Sequence, residues 1–159
     1  MADALEVQVT VEGVQVDTAG DKTVLRSTAQ GKYSARAGKH YVRYEDASLH
    51  DTVVPTVLKF SLEGMTLIRR GAVDMQLEFR LGNKTRSVYR TPYGNFDLLV
   101  DTKRLDIYFD GCQGRIKAEY DLFLNDALQG HNTLDVAIHA LNGGYKKIRR
   151  ILDWILKTH

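Results

Sequence analysis

The chain contains very little cysteine or proline, and it has no long apolar run. Its 159 residues include one cysteine, Cys112, and two prolines. A single cysteine cannot form an internal disulfide or a multi-cysteine metal site, so we expect a reducing compartment. No segment approaches the roughly 18 apolar residues of a membrane span, and the N-terminus lacks the basic and apolar regions of a signal peptide. The sequence therefore predicts a cytoplasmic protein without stable membrane insertion.

The common sequence signatures of enzymes and metal sites are also missing. There is no Walker A motif, no GxGxxG after a strand, no HExxH, no GxSxG and no CxxC. The five histidines are scattered and lack the short-range spacing of a metal site. We therefore assign no catalytic residue, expect neither a metal nor a cofactor, and take a protein without enzymatic activity as the leading interpretation.

Charge is unevenly distributed along the chain, whose formal net charge is +2. Residues 144–159 contain five basic residues and one acidic residue, which gives 5 − 1 = +4. The rest of the chain therefore carries 2 − 4 = −2. Since this main part has no basic bias, its charge does not indicate DNA binding. Any electrostatic contact with a partner is expected from residues 144–159.

Alternating apolar and polar residues dominate the sequence. The segment LEVQVTVEGVQV places its leucine and several valines on one face, as is typical of a half-buried antiparallel strand. About ten such segments are separated by short turn sequences, for example Gly82-Asn83 and Asp110-Gly111. The pattern predicts one all-β domain, residues 1–143, folded as an antiparallel up-and-down barrel of about 8–10 strands. A β-sandwich is the alternative.

The periodicity changes in residues 144–159. An apolar stripe at helical spacing is formed by Ile148, Ile151, Leu152, Ile155 and Leu156. Basic residues cover the opposite arc, so this segment is predicted to form a basic amphipathic helix. Three roles stay open: packing on or beside the barrel, contact with a partner protein or a second copy, and attachment to an acidic membrane or RNA surface.

One arginine is expected inside the barrel. In the segment MTLIRRG, Arg69 shares the face of Met65 and Leu67. A buried guanidinium needs a partner, which is either an internal acidic residue or an anionic ligand. The internal partners offered by the sequence are Glu45, Asp46, Glu119 and Asp121. A structural ion pair and a site for a carboxylate or phosphate group both stay open.

Tyrosines are the second group of candidate ligand contacts, because they combine flat apolar faces with a hydroxyl. Core packing is the default explanation for Tyr44, Tyr89 and Tyr120. His131 and Asn132 form a donor–acceptor pair, for which turn capping is the alternative. The TPYG segment predicts a hairpin corner at Pro92 and Gly94, with neighbouring tyrosines at the barrel rim. The complete set of candidate ligand-binding residues is Arg69, Tyr44, Glu45, Tyr89, Tyr93, Tyr120 and His131.

Several of these segments together resemble the YwiB-like family of small uncharacterised bacterial proteins. The resemblance rests, in chain order, on YED, LIRRGAVDMQLEF, SVYRTPYGNFDLLVDTKRLD, GRIKAEYDLFLN and GHNTLDVAIH. It implies a calycin-like barrel, similar in outline to lipocalins and fatty-acid-binding proteins. It implies no established activity, and a likeness of fold alone is a weak argument for ligand binding.

Three functional hypotheses follow. The leading hypothesis is a barrel that binds a small anionic or amphipathic ligand, with Arg69 supplying charge and tyrosines lining a cavity. The second is an interaction protein that uses residues 144–159 to contact a protein or RNA partner, or to form a homo-oligomer. The third is an enzyme of unknown reaction in which Glu45, His131 and Arg69 act as acid–base groups.

Overall fold

The computed structural model describes residues 4–47, 53–71 and 73–141, and all regular structure in these ranges is β-strand. The ten strands are β1 (Leu5–Asp17), β2 (Lys22–Arg36), β3 (Lys39–Asp46), β4 (Val54–Ser61), β5 (Gly64–Arg69), β6 (Met75–Phe79), β7 (Lys84–Thr91), β8 (Gly94–Phe109), β9 (Gln113–Leu124) and β10 (Ala127–Ala140). They form one antiparallel sheet in the order β6-β5-β4-β3-β2-β1-β10-β9-β8-β7. The predicted all-β meander is therefore confirmed.

Strands β6 and β7, the two ends of this sheet, lie side by side and nearly close the barrel. Asp74 and Arg90 exchange two backbone hydrogen bonds of 2.9 and 2.8 Å at one end of this junction. Farther along, the hydroxyls of Thr85 and Ser87 donate to backbone carbonyls of β6. The β6–β7 junction thus depends on hydrogen bonds from side-chain hydroxyls. The other neighbouring strands are instead joined by a ladder of backbone hydrogen bonds.

A continuous apolar core fills the barrel because one face of each strand points inward. The alternation predicted for β1 is confirmed, since Val7, Val9 and Val11 are buried. The largest fully buried side chains are Phe60, Phe79, Leu58, Met65, Ile116 and Ile138. Each such side chain stabilises the fold by about 1.5–3 kcal/mol relative to an exposed position.

An aromatic cluster closes one end of the barrel. The rings of Tyr33, His40, Phe60 and Phe109 pack with centroid separations from 4.7 to 5.8 Å. The Tyr33 hydroxyl lies 2.7 Å from Nδ1 of His40, so these two polar atoms are paired with each other. These four residues are called the aromatic end below.

The opposite end is extended by the β1–β2 hairpin. Strand β2 pairs with β1 from Lys22 to Tyr33 but with β3 only from Gly31 to Arg36. The first half of β2 therefore projects past the end of β3. Several apolar side chains on the β1–β2 hairpin are exposed, namely Val16 on β1 and Val24 and Leu25 on β2. This end is called the hairpin end below.

The predicted amphipathic helix, residues 144–159, lies outside the described residues, and its proposed contacts stay predictions. Within the described ranges, no helix has the length and apolar character needed to cross a membrane.

Candidate functional site

The centre of the candidate site is an ion pair between Arg69 and Asp46. These are the last residues of β5 and β3, and β4 separates the two strands. Nη2 of Arg69 donates to Oδ2 of Asp46 over 2.8 Å. Asp46 is only 3% exposed, whereas the Arg69 side chain is 23% exposed. Asp46 is therefore the internal partner among the four acidic residues that the sequence offered.

Two tyrosines lie near this ion pair. Tyr44 precedes Asp46 by two residues on β3 and so shares its inward face. Burial raises the pKa of Tyr44; the Asp46 carboxylate raises it further and the Arg69 guanidinium lowers it. Burial likewise raises the pKa of Tyr120 to about 12, although Arg69 opposes the shift. Both hydroxyls are therefore neutral near pH 7.

A cavity of about 230 Å³ opens beside the Arg69–Asp46 pair at the hairpin end. The polar residues that line it are Asp46, Arg69, Tyr120, Asn132, Gln15, Thr23, Ser27 and Thr133. The apolar residues that line it are Val11, Val14, Leu25, Leu67, Met75, Leu77, Leu122 and Leu134. The volume corresponds to about seven or eight waters at roughly 30 Å³ each. It is below the roughly 300 Å³ at which drug-sized pockets begin, so the cavity fits only a small molecule.

The polar wall contains hydrogen-bonding atoms that the described part of the chain does not satisfy. Nε of Arg69 is buried and has no partner among the described residues. Nδ2 of Asn132 donates to the Gly130 carbonyl over 3.2 Å, and its Oδ1 is an acceptor. Leaving Nε unpaired costs about 1–3 kcal/mol. Because Nε has almost no accessible surface, a molecule in the cavity can pair with it only if the Arg69 side chain moves.

Glu45 and His131 lie on the outer surface, away from this cavity. Glu45 lines an external groove together with Arg43 on β3. His131 is 70% exposed, and its Nδ1 pairs with the Asp121 carboxylate on β9. Glu45, His131 and Arg69 therefore do not share one face of the sheet, and the structure does not bring these three acid–base groups together.

Tyr89 and Tyr93 also lie outside the cavity lining. Tyr89 is half-buried against the core, with its ring centroid 6.4 Å from that of Phe96. Tyr93 is 95% exposed in the turn between β7 and β8. The hairpin corner predicted at Pro92 is confirmed: Thr91 pairs with Gly94, and its hydroxyl donates to the Gly94 carbonyl over 2.8 Å.

Of the seven candidate residues, the structure places Arg69, Tyr44 and Tyr120 near one another. The sequence offered Asn132 as half of a donor–acceptor pair with His131, with turn capping as the alternative, and did not include it among the candidate ligand-binding residues, although it lines the cavity. Asn132 has the same phase along β10 as the buried residues Leu134 and Val136, and this alternation is the signal that could have found it. Among the described residues, no three His, Cys, Asp or Glu side chains are placed to hold a metal ion.

Comparison with known proteins identifies the family. A family model described as a domain of unknown function, DUF1934, matches residues 9–136. The chain belongs to the DUF1934 family. It is 30% identical over 112 residues to the uncharacterised β-barrel protein YwiB of Bacillus subtilis strain 168, a match that covers 70% of this chain and 78% of that protein. The predicted resemblance to the YwiB-like family is thereby confirmed.

The solved structure of a relative supports the fold. The crystal structure of the YwiB protein from Bacillus subtilis superposes with a TM-score of 0.77 at 25% sequence identity. The match covers 89% of this chain and 96% of that chain. The near-closed antiparallel barrel is therefore shared with a relative that carries no assigned activity in its name.

Proposed function

We propose that this DUF1934 protein binds a small amphipathic molecule in the cavity at the hairpin end of the barrel. The observation that carries this proposal is the cavity of about 230 Å³, whose wall combines the Arg69–Asp46 ion pair with apolar side chains. The aromatic end is filled by packed rings, so a ligand enters from the hairpin end.

The two walls of the cavity argue for an amphipathic ligand. A polar group of the ligand binds beside Arg69 and Asn132, and a short apolar group packs against Leu67, Leu77 and Leu134. Pockets that bind small molecules usually combine a mainly apolar lining with a few placed polar groups, as this cavity does. The ion pair holds the Arg69 side chain in position, which lowers the entropy lost when a ligand binds.

A titration with 1-hexanol, followed by NMR of leucine methyl groups, tests the proposal. We expect saturable shifts at Leu67, Leu77 and Leu134, because the apolar group of the alcohol packs against them. The variant Leu122→Trp places an indole at the cavity wall and should abolish these shifts. Leu99→Trp is the matched control, since Leu99 is also half-buried in a strand but does not line the cavity.

Folding of each variant is checked first from the dispersion of its NMR spectrum. The proposal is wrong if the cavity methyl groups of the wild-type protein do not respond to hexanol. It is equally wrong if the Leu122→Trp protein folds and gives the same saturable shifts as the Leu99→Trp protein.

A further inference from the structure

We infer that the ligand of this cavity is an uncharged molecule whose polar group both accepts and donates hydrogen bonds, as a primary amide does. This inference rests on the proposed binding function and specifies the class of ligand. An inward arginine without a counter-ion would favour an anionic ligand, and the inferred ligand differs from that expectation.

The first argument is the charge of the cavity wall. Among the described residues, the only Asp, Glu, Lys or Arg side chains that line the cavity are Asp46 and Arg69. Their opposite charges are 2.8 Å apart, so the guanidinium already has a counter-ion. A ligand carboxylate would bring a second negative charge into a space walled mainly by apolar side chains. Because moving an uncompensated charge out of water is costly, the cavity disfavours an anionic group.

The second argument is that the wall presents both kinds of hydrogen-bonding group. The Arg69 guanidinium carries only N–H donors, and its side chain is 23% exposed. Asn132 donates through Nδ2 to the Gly130 carbonyl, so its other amide atom, Oδ1, offers an acceptor. The neutral Tyr120 hydroxyl can act in either role. A carboxylate only accepts hydrogen bonds, whereas a primary amide carries a carbonyl and an NH₂ group on the same carbon.

The third argument is the size of the apolar part. The 230 Å³ cavity is shared between the polar and apolar walls, so only a short chain fits beyond the polar group. Met75 and Leu122 are partly buried rather than fully packed, which leaves their side chains able to adjust to such a chain. Hexanamide is therefore a suitable probe, and hexanoate has the same chain length with an anionic group.

Calorimetric titration with hexanamide and hexanoate near pH 7.5 tests the inference. We expect the wild-type protein to bind hexanamide at least about tenfold more tightly than hexanoate, a difference of about 1.4 kcal/mol. In Asp46→Asn the carboxylate is replaced by an isosteric neutral amide, so Arg69 lacks its counter-ion. The preference should then move toward hexanoate by at least about tenfold.

Two further variants separate local charge from other effects. Glu45→Gln removes the neighbouring negative charge on the outer face of β3, and it should leave the wild-type preference unchanged. Asp46→Asn combined with Arg69→Gln restores a neutral wall, and it should restore the preference for hexanamide. If Asp46→Asn does not fold, the relative affinities of the wild-type protein and of the double variant for hexanamide and hexanoate still test the inference.

The outcomes distinguish this inference from the function on which it rests. The wild-type protein could bind hexanoate as tightly as hexanamide or more tightly, and Leu122→Trp could block this binding. That result would contradict the inference of an uncharged ligand but would support the proposed binding function. An unchanged preference in folded Asp46→Asn also overturns the charge argument. Failure of hexanamide, hexanoate and hexanol to bind overturns both proposals.

Discussion

The two tyrosine hydroxyls near the ion pair, those of Tyr44 and Tyr120, link the stability of the barrel to pH. In the unfolded chain a tyrosine ionises near a pKa of 10.0, whereas burial in the folded state raises the pKa of Tyr120 to about 12. A group with a raised folded-state pKa contributes full stability below its unfolded pKa and loses it as the pH rises to the folded value.

We therefore expect the free energy of unfolding to decrease between about pH 10 and pH 12, by roughly 1–3 kcal/mol from Tyr120 alone. Urea unfolding at about pH 8, 10 and 11.5 measures this change. Tyr120→Phe should flatten the curve, because phenylalanine does not ionise. Tyr93→Phe is the control, since Tyr93 is exposed and its removal should leave the curve as steep as before. A wild-type stability that is constant over this range would contradict the account.

The neighbouring residues Glu45 and Asp46 show why the site was only partly predictable from sequence. Both carry a carboxylate, yet Asp46 lies beside Arg69 and Glu45 lies on the outer face. In the segment HYVRYED, aromatic and charged residues occur at both the odd-numbered and the even-numbered positions. The local sequence therefore does not show which of the two sets of side chains points into the barrel. Arg69 alternates in step with the apolar residues Met65 and Leu67, so the sequence predicts that its side chain points into the barrel. The structure confirms this inward position.

At the scale of strands, the β6–β7 junction is the distinctive element of the barrel. The hydroxyl of Thr85 donates to the carbonyl of Glu78, and the hydroxyl of Ser87 donates to the carbonyl of Gln76. These side-chain hydrogen bonds satisfy carbonyls that a paired strand would otherwise satisfy. Each is expected to stabilise the closed arrangement by about 0.5–1.5 kcal/mol.

Replacing both hydroxyls, with Thr85→Val and Ser87→Ala, tests the role of this junction. We expect the free energy of unfolding to fall by about 1–3 kcal/mol and the amide hydrogens of β6 to exchange faster than those of β1. Thr66→Val is the matched control, because Thr66 is half-buried on β5 and its hydroxyl makes no hydrogen bond to the described residues. A double variant no less stable than Thr66→Val would contradict the role assigned to the hydroxyls.

The number of strands followed directly from the sequence, whereas this junction did not. Period-2 alternation and turn residues mark each strand locally, so about 8–10 strands were expected and ten are present among the described residues. Thr85 and Ser87 fit the ordinary alternation of β7, and nothing near them in sequence identifies the carbonyls of β6 as their partners. Contacts between the two ends of a sheet depend on the register of every intervening strand, which local patterns do not determine.

At the scale of the whole molecule, the barrel has two different ends. Aromatic rings fill one end, and the β1–β2 hairpin extends the other beside the cavity. Closure of the sheet was predictable because many sequential strands with one apolar face avoid exposed edges in this way. The cavity was not predictable, because its volume is the small space left between packed side chains of several strands.

The central claim is that the cavity at the hairpin end holds a small molecule in the native protein. Native mass spectrometry of the protein purified from its own host tests this claim most directly. We predict a non-covalent adduct of small organic mass on the wild-type protein and on Leu99→Trp, and its loss from folded Leu122→Trp. A wild-type protein that carries no adduct, or an adduct retained equally by Leu122→Trp, would contradict the claim.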